Sequence, residues 1–325
     1  MGDLKAKIVA AVAKDLEKIE GRLEANLTPE LALVREIGGH ILFSGGKRLR
    51  PLLCVLLYRS LGGRDAFVYD VAGIFEFLHA ATLIHDDVVD EALRRRGKAA
   101  AHTLFGAAEA VLTGDFLLAR SLNLAARTKN PEIIATIARI TEDMAQGEIE
   151  QLRNKGNLGI SEASYDRVIE RKTAVLIAGA CKTGALLAGA GEGAVEAATR
   201  YGRELGMAFQ MADDLLDYTE DEKTLGKKPG ADLREGKATL PLIHTLASGD
   251  APLCAFLKRI AGTDFTEADF LRAREGVIGA GGLDWTLKRA KRHVQEACLA
   301  LDNLPGGEER EILALLAEYA LGRRH

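Results

Sequence analysis

The chain has 325 residues, 47% of them hydrophobic, which is long enough to bury a large core and excludes a disordered or fibrous protein. Its 43 Lys and Arg against 47 Asp and Glu leave a formal net charge of -4, so no broad basic surface for nucleic acid or anionic lipid is expected. Cys54, Cys181, Cys254 and Cys298 are scattered with no CxxC pair, which disfavours a zinc site and a disulfide framework and fits a reducing cytosol.

Met1 to Lys18 carries charges throughout and has no apolar run leading to a small-residue cleavage site, so no signal peptide is read and a cytoplasmic location is expected. Almost every long segment after it is rich in Ala, Leu, Glu, Arg and Ile at helical spacing, and period-two runs are scarce. The chain reads as all-α. Helix starts are predicted at Thr28-Pro29-Glu30, Asn130-Pro131-Glu132, Ser161-Glu162 and Thr266, the last with Asp269 three residues on. No Ser/Pro-rich linker divides the sequence, so one helical domain over residues 1–325 is expected. Thr173 to Gly191 is apolar enough to suggest a membrane helix, but Lys182 lies in its middle and Gly and Ala dominate it, which favours a buried core helix.

Three kinds of segment carry chemistry. Gly45-Gly46-Lys47-Arg48-Leu49-Arg50-Pro51 combines glycines, which let backbone approach a ligand, with cations suited to phosphate oxygens, but it lacks P-loop spacing. The cluster Asp86-Asp87-Val88-Val89-Asp90 ends an apolar run, and on a helix Asp86 and Asp90 project from one face roughly 6 Å apart. Asp213-Asp214-Leu215-Leu216-Asp217 repeats that spacing after a second apolar stretch. One such cluster reads as a solvated helix end; two, each near a basic run, suggest oxygen ligands for Mg²⁺ bridging a polyphosphate. The basic runs are Arg94-Arg95-Arg96-Gly97, Arg171-Lys172-Thr173 and the irregular stretch Asp221 to Thr239 with Lys227, Lys228 and Lys237. A long polar stretch of that kind inside a helical domain is usually functional or disordered.

GGKRLRP, HAATLIHDDVVDEALRRRG, KTAVL, GMAFQMADDLLDY and LGKKPGADLREGKATLP, in that order over most of Gly45 to Pro241, resemble the trans-isoprenyl diphosphate synthase family, most closely its long-chain polyprenyl (octaprenyl-like) members. The resemblance implies a bundle of ten or more helices around a central cavity, with the two aspartate-rich helix ends facing each other at its mouth. It implies a Mg²⁺-dependent prenyltransferase that ionises an allylic diphosphate, farnesyl or geranylgeranyl, and adds isopentenyl diphosphate by successive trans head-to-tail condensations. By the same resemblance Asp86, Asp90 and Asp213 ligate the metal, with Asp87 and Asp217 as outer or occasional ligands. Lys47, Arg50, His79 and Arg96 match the isopentenyl diphosphate site, and Arg95, Lys172, Thr173, Gln210, Lys227 and Lys237 the allylic one. A homodimer is implied, with at most transient membrane contact for product release. Taken alone, His79 on its apolar helix would read as a satisfied core histidine.

Ala81 and Thr82 lie one helical turn before Asp86, where bulky aromatics block elongation in this family. Both are small here, so a product near C40 is expected, with Leu78, Phe77 and Ile74 further down the helix. The other reading of Ala81 and Thr82 is close helix packing, with the pocket floored elsewhere. A C15–C20 synthase keeps the chemistry and changes only length. A regulatory subunit should have degraded aspartate or arginine positions, which this sequence keeps, and a terpene cyclase needs no second diphosphate site. Ala81→Tyr is expected to shorten the product, measured by chain-length analysis of the dephosphorylated prenyl alcohols; an unchanged length would place the tunnel elsewhere.

Overall fold

The computed structural model describes residues 2–220 and 228–322. Three helices are buried around nearly their whole circumference: α3 (Leu49–Ser60), α4 (Val68–Val89) and α9 (Val175–Leu187). Their sequences are predominantly apolar all round, with few charges, the pattern of a helix enclosed by other helices. Amphipathic helices wrap them. These are α1 (Gly2–Asn26), α2 (Ala32–Leu42), α6 (Ala107–Arg127), preceded by the short α5 (Ala101–Phe105), and α7 (Pro131–Asn154). The longest helix, α10 (Glu192–Thr219), packs on α9 from the other side. After it come α11 (Ala231–Arg234), α12 (Leu240–Ser248), α13 (Ala251–Ile260), α14 (Glu267–Gly279), α15 (Gly282–Leu301) and α16 (Glu308–Leu321), with α15 lying along α10. Between α7 and α9 runs α8 (Glu162–Ile169), which continues into a π-helical turn at Glu170–Ala174.

The sequence punctuation explains most of the helix starts. Asn130 accepts from the backbone N–H of Glu132 and Ile133, Ser161 from Ser164, and Thr266 forms a reciprocal capping box with Asp269. Thr28 is a correction: α2 begins at Ala32 behind Leu31, with no side-chain cap, while Thr28 is exposed in the turn after α1. The all-α expectation holds apart from one small element. Arg94–Arg95 and Lys98–Ala99 form a two-stranded antiparallel hairpin, β1 and β2, whose turn is made by Arg96 and Gly97, both at positive φ. The apolar Thr173 to Gly191 segment runs from the end of the π turn through α9 to the residue before α10, and no described helix is long and apolar enough to cross a membrane. All four cysteines are free, and burial pushes the Cys54 and Cys181 thiols well up.

The π turn owes its place to two glycines. A Cβ on Gly147 of α7 would lie 2.8 Å from Arg171 Cβ and 2.9 Å from Lys172 N. On the opposite side, a Cβ on Gly206 of α10 would lie 2.5 Å from Ala174 Cα. The turn carrying Lys172 and Thr173 is thus held between two helices at backbone contact distance. Gly147→Ala is expected to destabilise the fold by about 1–3 kcal/mol, read from the urea midpoint, because backbone must move to admit one methyl group.

Candidate active site

The first aspartate cluster closes α4. Asp86 is half-buried and Asp90, at the C-cap, is exposed; its N–H donates to the Asp86 carbonyl at 2.8 Å. Asp87 faces inward and is 0% exposed. Arg95 of β1 donates to it twice, from Nε at 2.8 Å and Nη2 at 2.5 Å. On α7, Glu148 takes an ion pair from Lys172 Nζ at 2.5 Å. Burial raises the Asp86 carboxyl to about 6; Lys172 and Arg95 pull it down, and Glu148 and Asp90 push it up.

The second cluster lies near the end of α10. Asp214 is buried and accepts from Tyr165 Oη at 2.6 Å and Gln210 Nε2 at 3.1 Å. Burial, with Asp232 and Asp213 nearby, raises its pKa, and those two hydrogen bonds offset only part of the rise. Gln210 Oε1 in turn accepts from Thr173 Oγ1 at 2.9 Å, so the relay runs from α8 through α10 to the π turn. Asp213 is half-buried. Asp217 is 0% exposed, and its carboxylate accepts from the N–H groups of Ala231 at 3.3 Å and Asp232 at 3.1 Å, capping α11. Lys172, Thr173, Gln210, Asp214, Asp232 and Lys237 share the lining of one cavity of about 170 Å³. Burial acts to lower the Lys237 ammonium, but Glu235, Asp232 and Asp90 outweigh it and raise the pKa. Asp90 acts on Lys237, and Lys172 on Asp86, so the two clusters lie within electrostatic reach of the same cavity wall.

The segment before α3 forms the other side. Arg96 Nη1 donates to the Gly45 carbonyl, tying the hairpin to this loop. Lys47 is exposed, with Nζ 5.7 Å from the centre of the Tyr319 ring, and Arg50 is half-buried. His79 of α4 faces Arg50, Arg96, Arg95 and Arg48; burial first, then those charges, hold its pKa well below 6.5, so it is a neutral ring at pH 7. Arg48 is a residue that sequence reasoning passed over. It adopts a left-handed backbone (φ 48°), is 4% exposed, and donates to Glu20, Glu76 and the Leu42 carbonyl at 2.6 Å each. Its guanidinium holds the loop while Lys47 and Arg50 on either side stay reachable.

The two groups of cations read from the sequence are therefore two groups in space. Lys47, Arg50, His79 and Arg96 gather at the loop before α3, and Lys172, Thr173, Gln210 and Lys237 line the cavity, while Arg95, held by Asp87, acts on both Asp86 and His79 and stands between the two groups. Lys227 lies outside the described residues. Leu78 and Ala81 are buried in α4, and Thr82 donates to the His79 carbonyl at 2.9 Å; none of the three lines the 170 Å³ cavity. Glu148 and Tyr165 were not singled out from the sequence, and Asp214 was read there as a member of its cluster without a role of its own. Asp214 had a signal, since it lies four residues after Gln210 on one helix; Glu148 and Tyr165 stand on other helices and had none. Among the described residues no three His, Cys, Asp or Glu side chains form a metal cage.

Residues 32–274 match the polyprenyl synthetase family model. The chain belongs to this family. Polyprenyl synthetases are trans-prenyltransferases, and the present one is 39% identical to an octaprenyl diphosphate synthase of Haemophilus influenzae over 311 residues, 96% of this chain and 94% of that protein. It is 38% identical to the octaprenyl diphosphate synthase of Escherichia coli, with 98% of each covered. Among solved structures, a polyprenyl synthase from Caulobacter crescentus, complexed with calcium and isoprenyl diphosphate, superposes with a TM-score of 0.92 at 41% identity, covering 98% of each chain.

For this polyprenyl synthetase the raised Asp86 pKa fixes a sign. An acid whose folded pKa exceeds its unfolded value contributes stability below about pH 4, and that contribution is lost as pH rises through about 6. Asp86→Asn is therefore expected to stabilise the metal-free protein above pH 6, by up to about 3 kcal/mol, and to leave it unchanged near pH 4. Denaturant unfolding at both pH values in EDTA checks this.

Proposed function

We propose that this trans-prenyltransferase condenses isopentenyl diphosphate with farnesyl or geranylgeranyl diphosphate, in the presence of Mg²⁺, to an all-trans product near C40. The observation that carries the reading is the pairing of two separate cationic groups with two aspartate-rich helix ends around one space. Near full-length similarity to octaprenyl diphosphate synthases supports the product class.

The donor set fits a hard divalent cation. Mg²⁺ takes one or two carboxylates and completes its shell with waters and phosphate oxygens, so Asp86 and Asp90 on one side and Asp213 on the other suffice without a protein cage. A carboxyl held up at about 6 by burial and acidic neighbours gains when a cation arrives. Bound there, the metal would neutralise charge developing on the departing diphosphate. Arg95, Lys172 and Lys237 hold the allylic diphosphate and meet the same charge from the protein side. Thr173 and Gln210, locked to each other and to Asp214, fix the wall of that site. Lys47, Arg50, Arg96 and the N–H of neutral His79 hold isopentenyl diphosphate with its double bond presented to the allylic carbon. Expelled diphosphate can take the final proton, so no side-chain base is assigned. Leu78, Ala81 and Thr82 border the growing chain.

The whole chain acts as one helical domain on this reading, since α10 contributes to all three buried apolar clusters. Leu104, Val111, Leu112 and Leu122 leave an exposed apolar stripe along α5 and α6, which supports a homodimer. A cytoplasmic enzyme with transient membrane contact at product release completes the proposal.

Purified protein incubated with isopentenyl diphosphate, farnesyl diphosphate and Mg²⁺ is expected to give a C40 product that EDTA abolishes. A C15 or C20 product would keep the chemistry and refute the length. No elongation with any allylic primer would overturn the catalytic reading in favour of a regulatory subunit.

A further inference from the structure

We propose that a groove between the C-terminal half of α7, α8 and the head of the π turn is an anion site separate from the substrate cavity, and that it takes a multiply charged phosphate or diphosphate group. The groove has a volume of about 600 Å³, and its lining includes Glu150, Arg153, Asn154, Ser164, Arg167 and Arg171. Three guanidiniums face the single carboxylate of Glu150 there, so positive charge is in surplus among the described residues. None of these residues lies on the α5–α6 face proposed for the dimer.

The donors of this groove are poorly spent within the fold. Glu150 is shared, with Arg167 Nη2 at 3.4 Å and Arg171 Nη1 at 3.3 Å, from side chains that are 56% and 39% exposed. Exposed pairs at such distances contribute little, so an entering anion can take both guanidinium forks. Arg153 is exposed and makes no hydrogen bond or ion pair among the described residues. Asn154 Nδ2 is buried without a hydrogen-bond partner, and Ser164 Oγ accepts from Arg167 Nη2 at 3.3 Å, which leaves its own hydrogen to donate. Planar guanidiniums with amide and hydroxyl donors beside them match the oxygens of a phosphate group. The groove backs onto the substrate cavity without joining it. Arg171 and Lys172 are consecutive in the π turn, yet Arg171 lines the groove and pairs with Glu150, whereas Lys172 lines the cavity and pairs with Glu148. Both glutamates stand on α7, where Gly147 lets the turn lie against the helix, and Asn154 borders both spaces.

The test is calorimetric titration of the full chain with inorganic diphosphate, at low salt and in EDTA. The wild type is compared with a groove variant, Arg153→Gln with Arg167→Gln, and a loop variant, Lys47→Gln with Arg50→Gln, which removes the other cationic group able to hold diphosphate without metal. The loop variant should retain a diphosphate-binding event that the groove variant weakens by about tenfold or more. Inorganic phosphate, with less charge, should bind the same place more weakly. Both groove substitutions are at exposed side chains, so the groove variant should keep the wild-type unfolding temperature, and its kcat and its KM for farnesyl and isopentenyl diphosphate should stay within about twofold. Should the double substitution not fold, Arg153→Gln alone decides, and it should still weaken diphosphate severalfold. Titration with farnesyl diphosphate identifies the source: the same loss in the groove variant assigns the head group of a prenyl diphosphate, and no such loss assigns the free anion. Diphosphate affinity unchanged in the groove variant would overturn the site, and a raised KM for farnesyl diphosphate there would make the groove part of the substrate site instead. Binding is read without turnover, so a wild type without elongation activity would overturn the proposed reaction and leave this site standing.

Discussion

Carboxylates brought together where two helices end repel one another, and much of this structure is the compensation of that repulsion. Asp87 is met by Arg95, Glu148 by Lys172, Asp214 by Tyr165 and Gln210, and Asp217 by two backbone amides. Burying a carboxylate without such partners would cost several kcal/mol each. Asp86 keeps part of that cost, as its pKa near 6 records. On the proposed reading the residual charge sits where a divalent cation and a diphosphate enter, so that substrate binding would remove an electrostatic deficit in the site. Affinity for a cation is in this sense a consequence of how the carboxylates are buried.

Compensation at these distances needs backbone brought unusually close, and the helices supply it through missing side chains. Gly147 and Gly206 let α7 and α10 approach the π turn from opposite sides. A π turn carries one extra residue per turn relative to an α-helix and is frequent at functional positions. Here its successive residues serve opposite neighbours, Lys172 the glutamate of α7 and Thr173 the glutamine of α10. The same logic appears at Arg48, where a left-handed residue other than glycine is held by two carboxylates and a carbonyl. The strain of about 1–2 kcal/mol at that backbone is offset by charge-assisted hydrogen bonds inside the protein.

The helical class, most helix starts and both aspartate clusters were legible in the sequence because each depends on local spacing: period 3.6, a cap residue, an i to i+4 repeat. The grouping of the cations was legible through the family resemblance and not through any local rule, since Arg96 meets the Gly45 carbonyl across 51 residues. What stayed hidden depends on tertiary contact. Within GGKRLRP three cations look equivalent, yet Arg48 faces Glu20 and Glu76 while its neighbours remain at the surface or partly so. Within each DDxxD the aspartates look equivalent too, and only the packing of α4 and α10 decides which point inward. The failed cap at Thr28 is of the same kind, because a local signal in a turn does not set where the next helix can first pack.

On the proposed reading the two diphosphate sites differ in sign, and that difference accounts for where a metal is needed. Around Lys47, Arg50, Arg96 and His79 the nearby carboxylates Glu20 and Glu76 are engaged by Arg48, so the local field is cationic; burial first, and then that field, keep His79 neutral. A diphosphate can be held there by protein cations alone. Around the cavity wall and the α4 end, among the described residues, Lys172, Lys237 and Arg95 stand among Asp86, Asp87, Asp90, Glu148, Asp213 and Asp232, and Arg95 and Lys172 are already paired with carboxylates. Among these described groups the balance is negative, so on the proposed reading a diphosphate enters there with divalent cations. On the proposed reading the protein separates its two chemically similar substrates by charge: the nucleophile's diphosphate goes where cations already prevail, and the leaving group's diphosphate goes where metal accompanies it, so that ionisation is confined to the allylic partner.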